Sequence, residues 1–132
     1  MILLDTHVWI WWVSKHQELS ESERHALDDA AVGGELALAA ISLWEVQMLH
    51  SDGRLALEQA FEPWLLDAAA PERVRVLPLD VPVVVALQEV PASVHRNLAG
   101  RIVAATARAY DLPLATRDHS IRDSGAVRLW SA

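Results

Sequence analysis

The chain has 132 residues, enough for one domain with a sizeable core. Apolar residues make up 52% and charged residues 22%, and there is no cysteine, which excludes a disulfide framework and a thiolate zinc site. The net charge of −7 gives no general affinity for nucleic acid, but it is uneven: residues 1–66 hold three basic and eleven acidic side chains, and residues 67–132 hold eight and seven.

No apolar run is long enough to span a bilayer. Asp5 and His7 stand where a secretory signal needs basic residues, so a cytoplasmic protein is expected. The first stretch, Ile2-Leu3-Leu4-Asp5-Thr6-His7, runs three apolar residues into a carboxylate and a hydroxyl. So short an apolar run reads as a strand buried on both faces, as in a parallel sheet. Open parallel sheets bind ligands beyond the carboxyl ends of their strands, where Asp5 stands. Asp5 and Thr6 are equally good helix caps, a purely structural role.

Residues 6–13 then read as a short helix apolar on every side, with Trp9, Trp11 and Trp12 within four positions. Such a helix is buried or covered by a partner. Together with Trp44, these tryptophans are candidates for an apolar groove that receives another chain. Six tryptophans in so small a core also favour a homodimer.

Ser20-Glu21-Ser22-Glu23 is a capping box opening a helix to about Val32, which Gly33-Gly34 ends. Residues 36–40 form a second apolar strand. Ser42-Leu43-Trp44-Glu45 repeats the capping-box pattern and opens a helix to about Ser51. Glu45 then has two readings: a bond back to the Ser42 backbone N–H, or an acid one turn beyond the second strand, beside Asp5. Residues 57–69 read as an amphipathic helix that Pro63 kinks or restarts. Residues 74–79 read as a third strand, and Asp80 caps a helix over 81–90 that has Pro82 in its first turn.

Residues 92–99 read as a polar loop, and 100–110 as a helix that Asp111 ends in the left-handed conformation. A fourth strand, 112–116, leads into Arg117-Asp118, so a second strand ends in a carboxylate. Residues 126–130 read as a last strand. Alternating strands and helices predict a single α/β domain over 1–132 with a mainly parallel sheet.

Asp5, Glu45 and Asp118 thus share the carboxyl edge. Carboxylates meeting there make a hard-oxygen site for Mg²⁺ or Mn²⁺, able to activate water and to stabilise a phosphodiester transition state. From 95 to 122 there are five arginines against two aspartates, and Arg96, Arg101 and Arg117 are candidates for a substrate phosphate. His95 is the histidine nearest the expected site. A receiver domain needs a lysine on a late strand, but the sole lysine is Lys15. Neither a nucleophile elbow nor a glycine-rich phosphate loop is present.

In Leu3-Leu4-Asp5-Thr6-His7, Ile41-Ser42-Leu43-Trp44-Glu45, Arg101-Ile102-Val103-Ala104-Ala105-Thr106-Ala107 and Leu112-Pro113-Leu114-Ala115-Thr116-Arg117-Asp118, the chain resembles the PIN-domain family, specifically VapC-type toxin ribonucleases of bacterial toxin–antitoxin pairs. The resemblance implies a three-layer α/β/α sandwich and a Mg²⁺-dependent endoribonuclease, usually a homodimer, with an antitoxin as partner. By position, Asp5, Glu45 and Asp118 match three of the family's four acids, Thr116 matches a frequent hydroxyl position, and Thr6 lies close by. The fourth acid, usually an aspartate directly before the Arg-Ile-Val-Ala run, is Gly100 here, and a second common aspartate three residues earlier is Asn97. Gly100 reflects either natural divergence or an inactivating change in a toxin harmful to its host. Impaired cleavage is expected, and a catalytically weak PIN domain that holds an antitoxin or RNA is the alternative.

Overall fold

Three apolar residues before Asp5 leave room for only a short strand, and β1 spans Ile2–Leu4. The computed structural model describes residues 1–94 and 97–132. After β1 come α1 (Thr6–Ser14), α2 (Glu21–Val32), β2 (Leu36–Ala39), α3 (Ala40–Ser51), α4 (Phe61–Ala68), β3 (Arg75–Leu77), α5 (Val81–Leu87), α6 (Leu98–Ala109), β4 (Leu114–Ala115) and α7 (His119–Ser124).

Among the described residues the sheet has four strands, all parallel, in the order β3-β2-β1-β4. The chain builds outward from β1 through β2 to β3, then returns to pair β4 on the other side of β1. That reversal lies between β1 and β4, where an open parallel sheet leaves a crevice at its carboxyl edge. Asp5 follows β1 and Asp118 follows β4, so the topology points both into that region.

Period-two alternation puts Leu3, Ala37 and Ala39 on one face, and Leu4, Leu36 and Leu38 on the other. The Leu3 face is covered by α5 and α6. Small residues such as Ala104, Ala105 and Ala107 of α6 are buried there. The Leu4 face takes the large side chains, including Val8, Trp9, Trp12 and Trp64. Helices on both faces make the expected three-layer sandwich. No helix among the described residues is long and apolar enough to cross a membrane.

The Ser20–Glu23 capping box forms with both of its bonds, Asp80 caps α5 through the Val83 N–H, and Asp111 is left-handed (φ 53°). Several expectations fail for local reasons. Helix α3 starts at Ala40, two residues before Ser42, so Ser42 is no cap and the second capping box does not exist. The helix expected over 57–69 shrinks to Phe61–Ala68, with Pro63 in a first turn whose N–H groups lack intrahelical acceptors anyway. The strand expected over 126–130 reduces to one parallel bridge, Leu129 to Leu114, because β4 has only two residues to pair with. Helix α7, six residues capped by Asp118, has no counterpart among the elements the sequence predicts.

Trp9 and Trp12 belong to the core, which corrects their assignment to an external groove. Trp9 is fully buried and its indole N–H donates to the Ala68 carbonyl at 2.9 Å. Trp12 is buried under Arg73, and its N–H donates to Asp28 Oδ1 at 2.8 Å. Each indole has found the polar partner that a buried tryptophan needs.

Candidate active site

Asp5 holds extended backbone between β1 and α1, and caps that helix. Its Oδ1 accepts from the Thr6 N–H at 2.9 Å and its Oδ2 from Thr116 Oγ1 at 2.6 Å. The residue as a whole is half-buried, but its carboxylate is enclosed by protein. Burial therefore raises the Asp5 pKa above the ordinary aspartate value, and the charge of Glu45 adds to the rise. The hydrogen bonds from Thr116 and Thr6, and the proximity of His7, pull the other way without cancelling it.

Glu45 lies in the second turn of α3. Its Oε1 accepts from Thr6 Oγ1 at 2.6 Å, and Thr6 Oγ1 lies 2.8 Å from Ser42 Oγ. The carboxylate therefore turns toward Asp5 rather than back to its own helix start. Thr6, Ser42 and Thr116 are three of the four buried polar residues among those described, and all three stand behind the acids. The signal for Ser42 was present as Ser-x-x-Glu, but a strut and a cap share that spacing.

Asp118 caps α7: its Oδ1 accepts from the Ile121 N–H at 3.0 Å and from Ser120 Oγ. The Asp118 N–H in turn donates to Thr116 Oγ1 at 3.0 Å. Asp5, Glu45 and Asp118 line one cavity of about 260 Å³ together with His7, Trp11, Gly100 and Arg117. Gly100 stands in the first turn of α6, buried, its N–H bonded to Asn97 Oδ1 at 2.9 Å. Asn97 is thus the cap of α6, and it is not among the residues lining the cavity.

The arginines fare differently. Arg117 lines the cavity, but its guanidinium forks onto Glu23 at 2.8 and 2.7 Å and onto the Glu18 carbonyl at 3.0 Å. That pairing holds the Glu23 carboxyl down to about 2. Arg101 turns away to the Val90 carbonyl at 3.1 Å, so it does not face the pocket as a phosphate ligand. Arg96 and His95 lie outside the described residues.

All-oxygen donors on three elements match a hard divalent cation such as Mg²⁺ or Mn²⁺. Among the described residues, no three acidic or histidine groups close into a ready-made metal cage. The set fits a cation that keeps several waters, as Mg²⁺ does, better than a closed structural site.

Beside this cavity runs a groove of about 340 Å³, sharing His7 and Trp11 with it and lined further by Ile10, Leu49, Leu55, Leu57 and Trp64. Of the four tryptophans expected to line a groove, Trp11 alone does so. Trp44 is 51% exposed and is not among the groove's lining residues.

Residues 2–126 match the model of the PIN domain family. The chain belongs to the PIN-domain family. This PIN domain is 34% identical to Ribonuclease VapC22 of Mycobacterium tuberculosis over 121 residues, covering 92% of this chain and 89% of that protein. Solved structures share its fold: FitAcB from Neisseria gonorrhoeae (TM-score 0.71, 22% identity, 99% and 97% of the two chains) and VapBC2 from Rickettsia felis bound to a promoter DNA fragment (TM-score 0.73, 17% identity, 98% of each). The structure of FitAB bound to the IR36 DNA fragment is a further match (TM-score 0.68, 24% identity, 98% and 94%).

Proposed function

We propose that this PIN domain is the toxin of a toxin–antitoxin pair, an endoribonuclease that cleaves RNA phosphodiester bonds with Mg²⁺ or Mn²⁺ held by Asp5, Glu45 and Asp118. The observation that carries the reading is the convergence of these three carboxylates on one cavity at the carboxyl edge. The 34% identity to a protein named as a ribonuclease supports the choice of reaction. When bound there, a divalent cation supplies positive charge against the phosphodiester and makes water acidic enough to attack phosphorus.

The chain's own residues prepare that chemistry. Thr116 and the Thr6 N–H hold the two Asp5 oxygens, Thr6 Oγ1 holds Glu45, and the start of α7 holds Asp118. Without a cation the three acids repel a phosphate, so RNA binding in the cavity depends on metal. Gly100 lines the cavity and contributes no charge, and cleavage is accordingly impaired. That same residue favours the second reading, a weak enzyme that chiefly binds antitoxin or RNA.

The antitoxin would seat an apolar segment in the groove beside Trp11 and place a basic side chain among the acids. A homodimer is part of the proposal. Its support moves from α1, whose tryptophans are mostly internal, to the exposed Val81, Val84 and Val85 of α5 and the exposed Trp44 and Met48 of α3. A monomeric mass at micromolar concentration without antitoxin would remove that part.

The deciding assay incubates the purified protein with mixed RNA plus Mn²⁺, with and without chelator, beside Asp5→Asn. Cleavage that needs Mn²⁺ and Asp5 is expected. Binding of RNA without cleavage selects the second reading, and cleavage unaffected by Asp5→Asn overturns the site.

A further inference from the structure

Thr6 Oγ1 has one proton and two near neighbours, Glu45 Oε1 at 2.6 Å and Ser42 Oγ at 2.8 Å. An ionised carboxylate only accepts, so the Thr6 proton goes to Glu45, and Ser42 must supply the proton of the other bond. The chain of donors therefore runs Ser42 to Thr6 to Glu45. Ser42 and Thr6 are both fully buried, and they reach each other across 36 residues of sequence. No water is needed to complete this chain, and its only charged member faces the cavity.

Thr6 occupies the first position of α1. A threonine side chain has three staggered χ1 wells, and at the first position of a helix no preceding turn selects among them. A donor fixed at Ser42 selects the rotamer that aims Oγ1 between Ser42 and Glu45. Ser42 itself sits in the first turn of α3, three residues before Glu45, so the same helix carries both ends of the relay.

We propose that Ser42 is a positioning residue, which orients Glu45 in the cavity by locking the Thr6 hydroxyl between them. This rests on the reading of the cavity as a metal-dependent nuclease site. Ser42 touches neither substrate nor cation. Its role differs from that of a buried hydroxyl that merely satisfies a neighbour, because deleting it should loosen a carboxylate two bonds away.

The test uses Ser42→Ala, a change to the best helix former at a buried site, with Thr6→Val as a second route to the same break. In the metal-free protein, three-bond NMR couplings of Thr6 should report one χ1 rotamer in the parent and an average in Ser42→Ala. Partners that orient a ligand typically set affinity and activity about 10–100-fold, so Ser42→Ala should weaken Mn²⁺ binding by calorimetry about 10-fold. At Mn²⁺ concentrations below saturation it should lower kcat/KM for RNA in proportion. In a Glu45→Ala background the same substitution should change Mn²⁺ affinity less than about twofold, since coupled neighbours fail additivity.

A single Thr6 rotamer and parent-like Mn²⁺ affinity in Ser42→Ala would overturn the proposal. So would an undiminished loss in the Glu45→Ala background, which would show that Ser42 acts elsewhere. A parent protein that neither binds Mn²⁺ nor cleaves RNA sinks the nuclease reading and the functional role of Ser42 with it. In that case a rotamer change in Thr6 would still separate a failed function from a failed geometry.

Discussion

The two walls of the acidic cavity are built on different principles. Asp5 and Glu45 form one wall, braced from behind by Thr116, Thr6 and Ser42, whose bonds span 111, 39 and 36 residues of sequence. Gly100 and Asp118 form the other, and both lie at helix starts where the partners are two or three residues away. On the first wall burial makes the Asp5 charge costly, and the hydroxyls partly offset that cost. On the second wall a carboxylate helps its own helix, because it caps free N–H groups and meets the positive end of the dipole. Asp5 also caps its own helix through the Thr6 N–H, but on the first wall that gain is set against the cost of a buried charge.

The largest effect should come from Asp5→Asn. Loss of a direct ligand should lower Mn²⁺ affinity and RNA cleavage by at least about 100-fold, more than the loss of an outer partner. A carboxyl whose pKa is raised by folding loses stability as pH climbs through that raised value. Asparagine removes this loss, so the melting temperature at neutral pH should hold or rise. A large drop in melting temperature would mean that the first wall is structural after all.

Gly100→Asp tests the opposite wall. It should tighten Mn²⁺ binding and raise chelator-sensitive cleavage by about 10–100-fold. The gain of up to about 1 kcal/mol from replacing a poor helix former with an acid in the first turn is opposed by repulsion from the three neighbouring acids, so the fold should be stabilised only when Mn²⁺ is present. If the glycine protein already cleaves as fast, Gly100 is not a vacated ligand position.

Thr116 touches both walls, donating to Asp5 and accepting from the Asp118 N–H. Thr116→Val should therefore cost about 1.5–3 kcal/mol in urea unfolding, the range for hydrogen bonds to charged groups. A loss within about 0.5 kcal/mol, the usual surface range, would show that the walls are independent.

The smallest effect concerns the latch outside the second wall. Arg117 holds Glu23 at about 2, below its ordinary 4.5. A depressed carboxyl contributes stability above its unfolded pKa and loses it as pH falls, here between about 4.5 and 2. The pair is partly exposed, so Glu23→Gln should cost no more than about 1 kcal/mol at neutral pH and should flatten that acid limb. An unchanged acid limb in thermal melts would make the latch inert.

The strand cores, the all-apolar first helix, the capping residues Ser20 and Asp80, and the acids at the ends of β1 and β4 were legible in the sequence alone. Each depends on residues within a few positions of one another, so composition and spacing suffice to specify them. Tertiary structure decided the rest. Ser42-x-x-Glu45 satisfies the spacing of a cap and of a strut equally, and only the start of α3 at Ala40, next to Thr6 of another helix, selects the strut. Trp9 and Trp12 look like interface residues until Ala68 and Asp28 take their indole N–H groups. Arg117 looks like a phosphate ligand until α2 brings Glu23 within 2.7 Å. In each case the competing partner lies many residues away, and it is the pairing of β1 between β2 and β4, with the helices packed on both faces, that brings it into reach.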